Sequence, residues 1–210
     1  MKLTRYPVVR PVLELGLNTL PLNSVEKKLA NRIERKAAKE RYISTPDGWF
    51  VPLNDLRNDI PIVAEFIWHE TIHYGEFEIG GGFDILINSH QLLGIPTNSN
   101  FRFGMDLANT VIKIRQGESR NISVGAQDFW KINVDNNQEE IITIIRNESK
   151  EPPIKLPLQS LKKRFRLAQL LVVDFSNKLE FCLNQYDENM KITSSEIRFM
   201  FGIDYVGETS

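Results

Sequence analysis

The stretch Trp68-His-Glu-Thr-Ile-His-Tyr74 carries His69, Glu70 and His73 in the order H-E-x-x-H. On a helix this spacing does metal chemistry. Positions four apart have Cβ atoms about 5–6 Å apart on one face, so two imidazoles can reach one zinc ion at about 2.0–2.1 Å. The glutamate between them then takes a proton from metal-bound water. All the histidines of the chain, His69, His73 and His90, lie between residues 69 and 90, which adds His90 to the candidate ligands.

In a strand the same residues do something else. His69 and His73 would share a face but stand about 13 Å apart, too far to hold one ion. Residues 66–79, FIWHETIHYGEFEI, are rich in aromatic and β-branched types and poor in helix formers, which favours the strand. Gly75 follows closely, and Phe77–Ile79, Gly80–Gly82 and Phe83–Ile87 then read as strand, loop, strand. In such a hairpin His73 and His90 approach across the strands in one of two registers. A zinc peptidase also needs a third ligand. The extended H-E-x-x-H-x-x-G-x-x-H form is excluded because its third histidine position is Ile79. Glu76, Glu78 and His90 remain as third-ligand candidates.

The elements that would position these residues are clearer elsewhere. Asn23 with Glu26 opens a charged helix from the segment NSVEKKLANRIERKAAKER, with Val25, Leu29, Ile33 and Ala37 as a narrow apolar stripe. Thr45-Pro-Asp-Gly48 is a turn, and Trp49–Val51 is a short strand ended by Pro52. Thr110–Arg115, Asn121–Val124, Phe129–Val134, Ile141–Arg146 and Ile154–Leu156 are short β-prone runs. Turn-forming residues such as Asp135–Asn137 separate them, as in an antiparallel meander. Leu161, Phe165, Ala168, Val172, Phe175, Leu179 and Cys182 mark a long amphipathic helix. Leu167, Leu170, Leu171, Val173 and Phe181 widen its apolar face almost all round. A shorter helix opens at Thr193 with Glu196 and ends at Gly202. The expected fold is α+β: a mainly antiparallel sheet with the long C-terminal helix packed on it and the charged N-terminal helix at the periphery. One domain is expected over residues 1–210, with an N-terminal helical lobe at about 1–45 as the variant of that reading.

Hydrophobic residues at 41% and charged residues at 25% belong to an ordinary folded protein rather than a disordered one. No window is apolar enough to span a membrane, and Arg5, Pro7, Arg10 and Pro11 break up any signal-like core. A single cysteine, Cys182, makes an internal disulfide impossible and a reducing cytoplasm the expected location. Its place on an apolar stripe points to an inert thiol. Gly80–Gly82 lacks the Lys-Ser/Thr of a phosphate loop, and no serine nucleophile elbow is present.

Charge is polarised: residues 1–41 carry ten Lys/Arg against four Asp/Glu, while the whole chain has a net charge of -1. The run Lys162-Lys163-Arg164-Phe165-Arg166 begins the long helix, where the helix dipole favours acids instead. Lys162, Lys163, Arg164 and Arg166 are therefore candidates for binding a partner. The leading expectation is a non-enzymatic cytoplasmic protein-binding module, in the manner of a small inhibitor or toxin-neutralising protein. It would use a charged face or an exposed sheet edge and need no cofactor. The alternative is a zinc-dependent peptidase, with Glu70 as general base and His69, His73 and His90 as metal candidates. A second alternative is nucleic-acid binding through residues 27–41 and 162–166, against which the scarcity of nearby stacking aromatics counts.

Overall fold

The computed structural model describes residues 7–87, 90–92, 100–124, 129–134, 141–146, 153–186 and 192–203, with the backbone alone at His90, Gln91, Phe129 and Arg146. The protein is α+β, with antiparallel sheets and a long C-terminal helix packed against them. In chain order the elements begin with β1 (Val8–Leu15), α1 (Ser24–Glu40), β2 (Ile43–Ser44), β3 (Trp49–Pro52), α2 (Leu53–Leu56) and α3 (Ile60–Tyr74). They continue with β4 (Gly81–Ile87), β5 (His90–Gln91), α4 (Phe101–Lys113), β6 (Ser119–Ser123), β7 (Phe129–Val134) and β8 (Ile141–Arg146). β9 (Ile154–Pro157), α5 (Leu158–Leu183) and α6 (Ser194–Met200) complete them.

The first sheet runs β2-β3-β1-β4-β5 and the second β6-β7-β8-β9. The second is the meander legible in the alternating runs. Its register places Ile122, Trp130, Ile132, Val134, Ile142, Ile144 and Leu156 on one buried face. Asn121, Lys131 and Lys155 stand on the other face, exposed, as period-two patterning requires. Asp135–Asn137 lies outside the described residues. The first sheet is centred on β1, which pairs with β3 from Val12↔Pro52 to Leu15↔Trp49 and with β4 from Val8↔Leu86 to Leu13↔Gly81.

α5 packs on α3, α4 and β1. Leu161, Phe165, Ala168, Val172, Phe175 and Leu179 are all buried along its inner stripe, and the Phe165 ring stacks on Phe83 of β4 with centroids 6.1 Å apart. α1 begins with the expected capping box, Asn23 accepting from Val25 and Glu26 N–H while Glu26 accepts from Asn23 N–H. Both sheets and α1, α3, α4, α5 and α6 contribute to one apolar cluster. No helix among the described residues is long and apolar enough to cross a membrane.

Four expectations are corrected. Thr110–Lys113 is the end of α4 rather than part of a strand: Asn100 caps a helix in which Phe101, Met105, Ala108 and Val111 recur at helical spacing and are buried. Phe77–Ile79 forms no hairpin with Phe83–Ile87, because β4 takes β1 as its partner and incorporates Gly81 and Gly82. In α1 the buried set is Glu26, Leu29, Ile33 and Ala37, while Val25 is exposed. The widened apolar face of α5 is not buried throughout: Leu167, Leu170 and Phe181 face solvent.

Candidate functional site

Residues 66–74 are helical. α3 has Pro61 in its first turn, where the missing N–H is no loss. It ends at Gly75, whose φ of 75° is the left-handed conformation that lets its N–H close on Thr71 O. The strand expectation fails because propensity differences of about 0.5 kcal/mol per residue are outweighed by tertiary burial. Ile60, Val63, Ala64, Phe66 and Ile67 all enter the core.

Being on a helix, His69 and His73 do share a side, yet they serve different surroundings. His69 Nδ1 lies 3.3 Å from Glu26 Oε1. Glu26 is fully buried, and its other oxygen accepts from Asn23 N–H at 2.7 Å. One turn earlier on α3, Glu65 accepts from Asn23 Nδ2 at 2.8 Å. Asn23 and Glu26 thus fasten the start of α1 to Glu65 and His69. His73 is exposed, edge-on to the Tyr74 ring at 4.8 Å.

Glu70 turns elsewhere. Its carboxyl lines a cleft of about 580 Å³ together with Glu14, Asp47, Glu76 and Glu78, and neither His69 nor His73 lines it. Glu70 Oε1 lies 3.4 Å from Thr19 Oγ1, which donates to Gly16 O at 2.6 Å. A Cβ at Gly16 would stand 2.8 Å from Glu70 Oε1, and one at Gly80 2.7 Å from Glu14 Oε2. Both carboxyls therefore occupy space that glycine leaves open. Burial, reinforced by the negative charge of Glu14, raises the Glu70 pKa to about 7, against smaller lowering effects of Thr19 and His69. Such a carboxyl can give or take a proton near neutrality.

The zinc arrangement is not completed among the described residues: no group of three or more His, Cys, Asp or Glu is placed to hold an ion. Glu76 and Glu78 join Glu70 in the acidic cleft. His90 lies in β5, paired with Ile87 of β4, and its side chain is outside the described residues.

The basic run divides in the same way. Lys162 donates to Ile114 O at 2.7 Å and so satisfies a carbonyl at the C-terminal end of α4, a favourable place for a cation. Lys163 and Arg166 are exposed. Arg164 lines a second cleft, of about 600 Å³, between α5, the start of β1 and α2. Arg57 and the apolar Val8, Val9, Leu167 and Leu171 line it as well. Sequence reasoning singled out Arg164 but neither Arg57 nor Val8–Val9, and no motif marks them. The only hint was the excess of leucines on α5.

The fold and clefts define an α+β protein with an acidic cleft beside α3 and a basic, apolar-lined cleft beside α5. Comparison with protein-family models, curated proteins and solved structures found no match.

Proposed function

We propose that this protein acts by binding another protein through the face formed by α5 and the start of β1. The observation that carries the reading is a run of large apolar side chains left in water. Val8, Leu167 and Leu170 are 45%, 51% and 66% exposed. Val8, Leu167 and Leu171 line one cleft, and Leu170 stands beside them on α5. Basic side chains rim the patch at Lys163, Arg164 and Arg166, the apolar-centre, polar-rim composition of interaction surfaces. Helix propensity alone does not call for leucine at these positions, because Lys, Arg, Gln and Glu propagate a helix about as well.

Nucleic acid is less well supported, because part of the basic charge is already engaged within the protein. Arg32 pairs with Asp59, Lys36 with Asp55, and Lys162 with the Ile114 carbonyl. The zinc reading lacks a third ligand among the described residues.

The test is crosslinking in the native host with tagged full-length chains. A partner held by the parent should be lost from a Leu167→Asp/Leu170→Asp variant and kept by Lys131→Glu, on the outer face of the second sheet. Identical partner sets for all three proteins would refute this surface.

A further inference from the structure

The cleft beside α5 contains an open strand edge. β3 ends at Pro52, opposite Val12, where the chain turns into α2, so among the described residues Val8–Arg10 of β1 are paired by β4 alone. Peptide groups alternate sides along an antiparallel strand. Glu14 N–H donates toward the β4 side, to Gly80 O at 2.9 Å, so Val12 and Arg10 point that way too. Val9 N–H and C=O therefore point to the other side, past the end of β3, whereas the Pro11 C=O on that side faces the Leu53 N–H, as the Val12↔Pro52 pairing requires. Pro11 fits this parity: its missing N–H falls where no ladder bond exists, the one place a proline is tolerated in such a strand.

The cleft around that edge has a defined chemistry. Val9, Pro11, Ala168 and Leu171 supply apolar lining. Two of its four charged groups are already engaged: Arg10 with Asp84 at 2.6 Å, and Asp55 with the Tyr42 hydroxyl at 2.8 Å and Lys36 at 3.4 Å. Arg57 and Arg164 have no ion-pair partner among the described residues. The charge left for a ligand is two guanidinium groups, which favour carboxylates.

We infer that this cleft captures an extended, acidic segment of a partner protein by strand addition to the open Val8–Arg10 edge, its carboxylates meeting Arg57 and Arg164. About three residues, at about 3.3 Å each, span the open edge. Backbone bonds to Val9 give affinity, while alternate side chains facing α5 and the arginines give selectivity. This rests on the protein-binding reading above and names the partner's chemistry.

The experiment is selection of displayed peptides on the full-length chain, followed by fluorescence polarisation of the enriched peptides with wild type, Arg57→Glu/Arg164→Glu, Val9→Pro and Leu167→Asp/Leu170→Asp. Val9→Pro removes the outward N–H without touching the β4 ladder. Circular dichroism and melting check that each variant folds, and the charge variant decides alone if Val9→Pro does not. Enriched peptides should alternate apolar with acidic residues. Their binding should weaken about tenfold or more in the charge variant and severalfold in Val9→Pro, and fall as salt rises.

Helix-spaced apolar positions, peptides without acids, or binding undiminished by Arg57→Glu/Arg164→Glu would overturn the inference. So would a labelled single-stranded oligonucleotide binding more tightly through the same arginines. Peptides lost only with Leu167→Asp/Leu170→Asp would reject strand addition yet leave the protein-binding reading standing. If no peptide is enriched the inference fails, and the crosslinking comparison then decides the broader reading separately.

Discussion

Arg10 and Asp84 face each other across β1 and β4, with Nε 2.6 Å from Oδ2. The same guanidinium donates to Glu40 O at 3.0 Å and Arg41 O at 2.8 Å. One side chain thereby joins the middle of the first sheet to the end of α1. Asp84 is 1% exposed, and its Oδ1 makes no hydrogen bond among the described residues, so Arg10 is its main compensation. Arg10→Ala should cost about 3–5 kcal/mol, the penalty of leaving a buried charge unpaired. Arg10→Ala/Asp84→Ala should recover a substantial part of that loss. Urea midpoints of the two variants check this; a double variant less stable than the single would contradict it.

Stability should depend on Glu70 in a definite direction. Its folded pKa, about 7, lies above the ordinary 4.5, so the folded state holds the proton more tightly than the unfolded one. The favourable contribution is present below about pH 4.5 and is lost as pH rises through about 7. Glu70→Gln should remove this decline while leaving low-pH stability nearly unchanged. Melting temperatures measured from pH 4 to 8 on both proteins would reveal it.

His69 is placed as a fastener between α1 and α3. His69→Ala takes the 3.3 Å partner from the buried Glu26 carboxylate and should cost about 1–3 kcal/mol. His73→Ala, at an exposed position, should change stability by about 0.5 kcal/mol or less. Metal analysis of chelator-free protein should give the same low zinc content for the parent and for His69→Ala/His73→Ala. Stoichiometric zinc in the parent, lost from the variant, would favour the peptidase alternative over the binding module.

The two sides of α5 should respond oppositely to substitution. Phe165, 1% exposed against Phe83, should lose about 3–5 kcal/mol on Phe165→Ala. Leu170→Asp, at a position 66% exposed, should stay within about 0.5 kcal/mol of the parent. Denaturant titration separates them. A large loss at Leu170 would mean that this leucine serves the fold rather than a partner.

Elements whose signal is local were legible from the residues. The α1 capping box at Asn23 and Glu26, the α5 stripe from Leu161 to Leu179, and the strands around Trp130 and Ile144 each declare themselves within a few residues, because caps and periodicity are short-range properties. α4 was missed although Phe101, Met105, Ala108 and Val111 carry its period, since β-branched Thr110–Ile114 dominated the reading of that segment. Of the sites, the basic run was visible, but not that Lys162 turns inward to the α4 terminus while Arg164 turns to a cleft.

The chain's own pattern was enough to specify an α+β protein with an antiparallel meander and a long amphipathic helix. It left open whether His69 and His73 ride on a helix, because the propensities of residues 66–74 differ by less than the burial of Ile60, Val63, Phe66 and Ile67 decides. Only the tertiary structure made that choice, and by pairing β4 with β1 it removed the competing hairpin. The turn from Pro52 into α2 ended β3 opposite Val12 and left the edge at Val9 open, among the described residues, beside Arg57 and Arg164. That juxtaposition depends on three segments distant in sequence, so no local pattern could carry it.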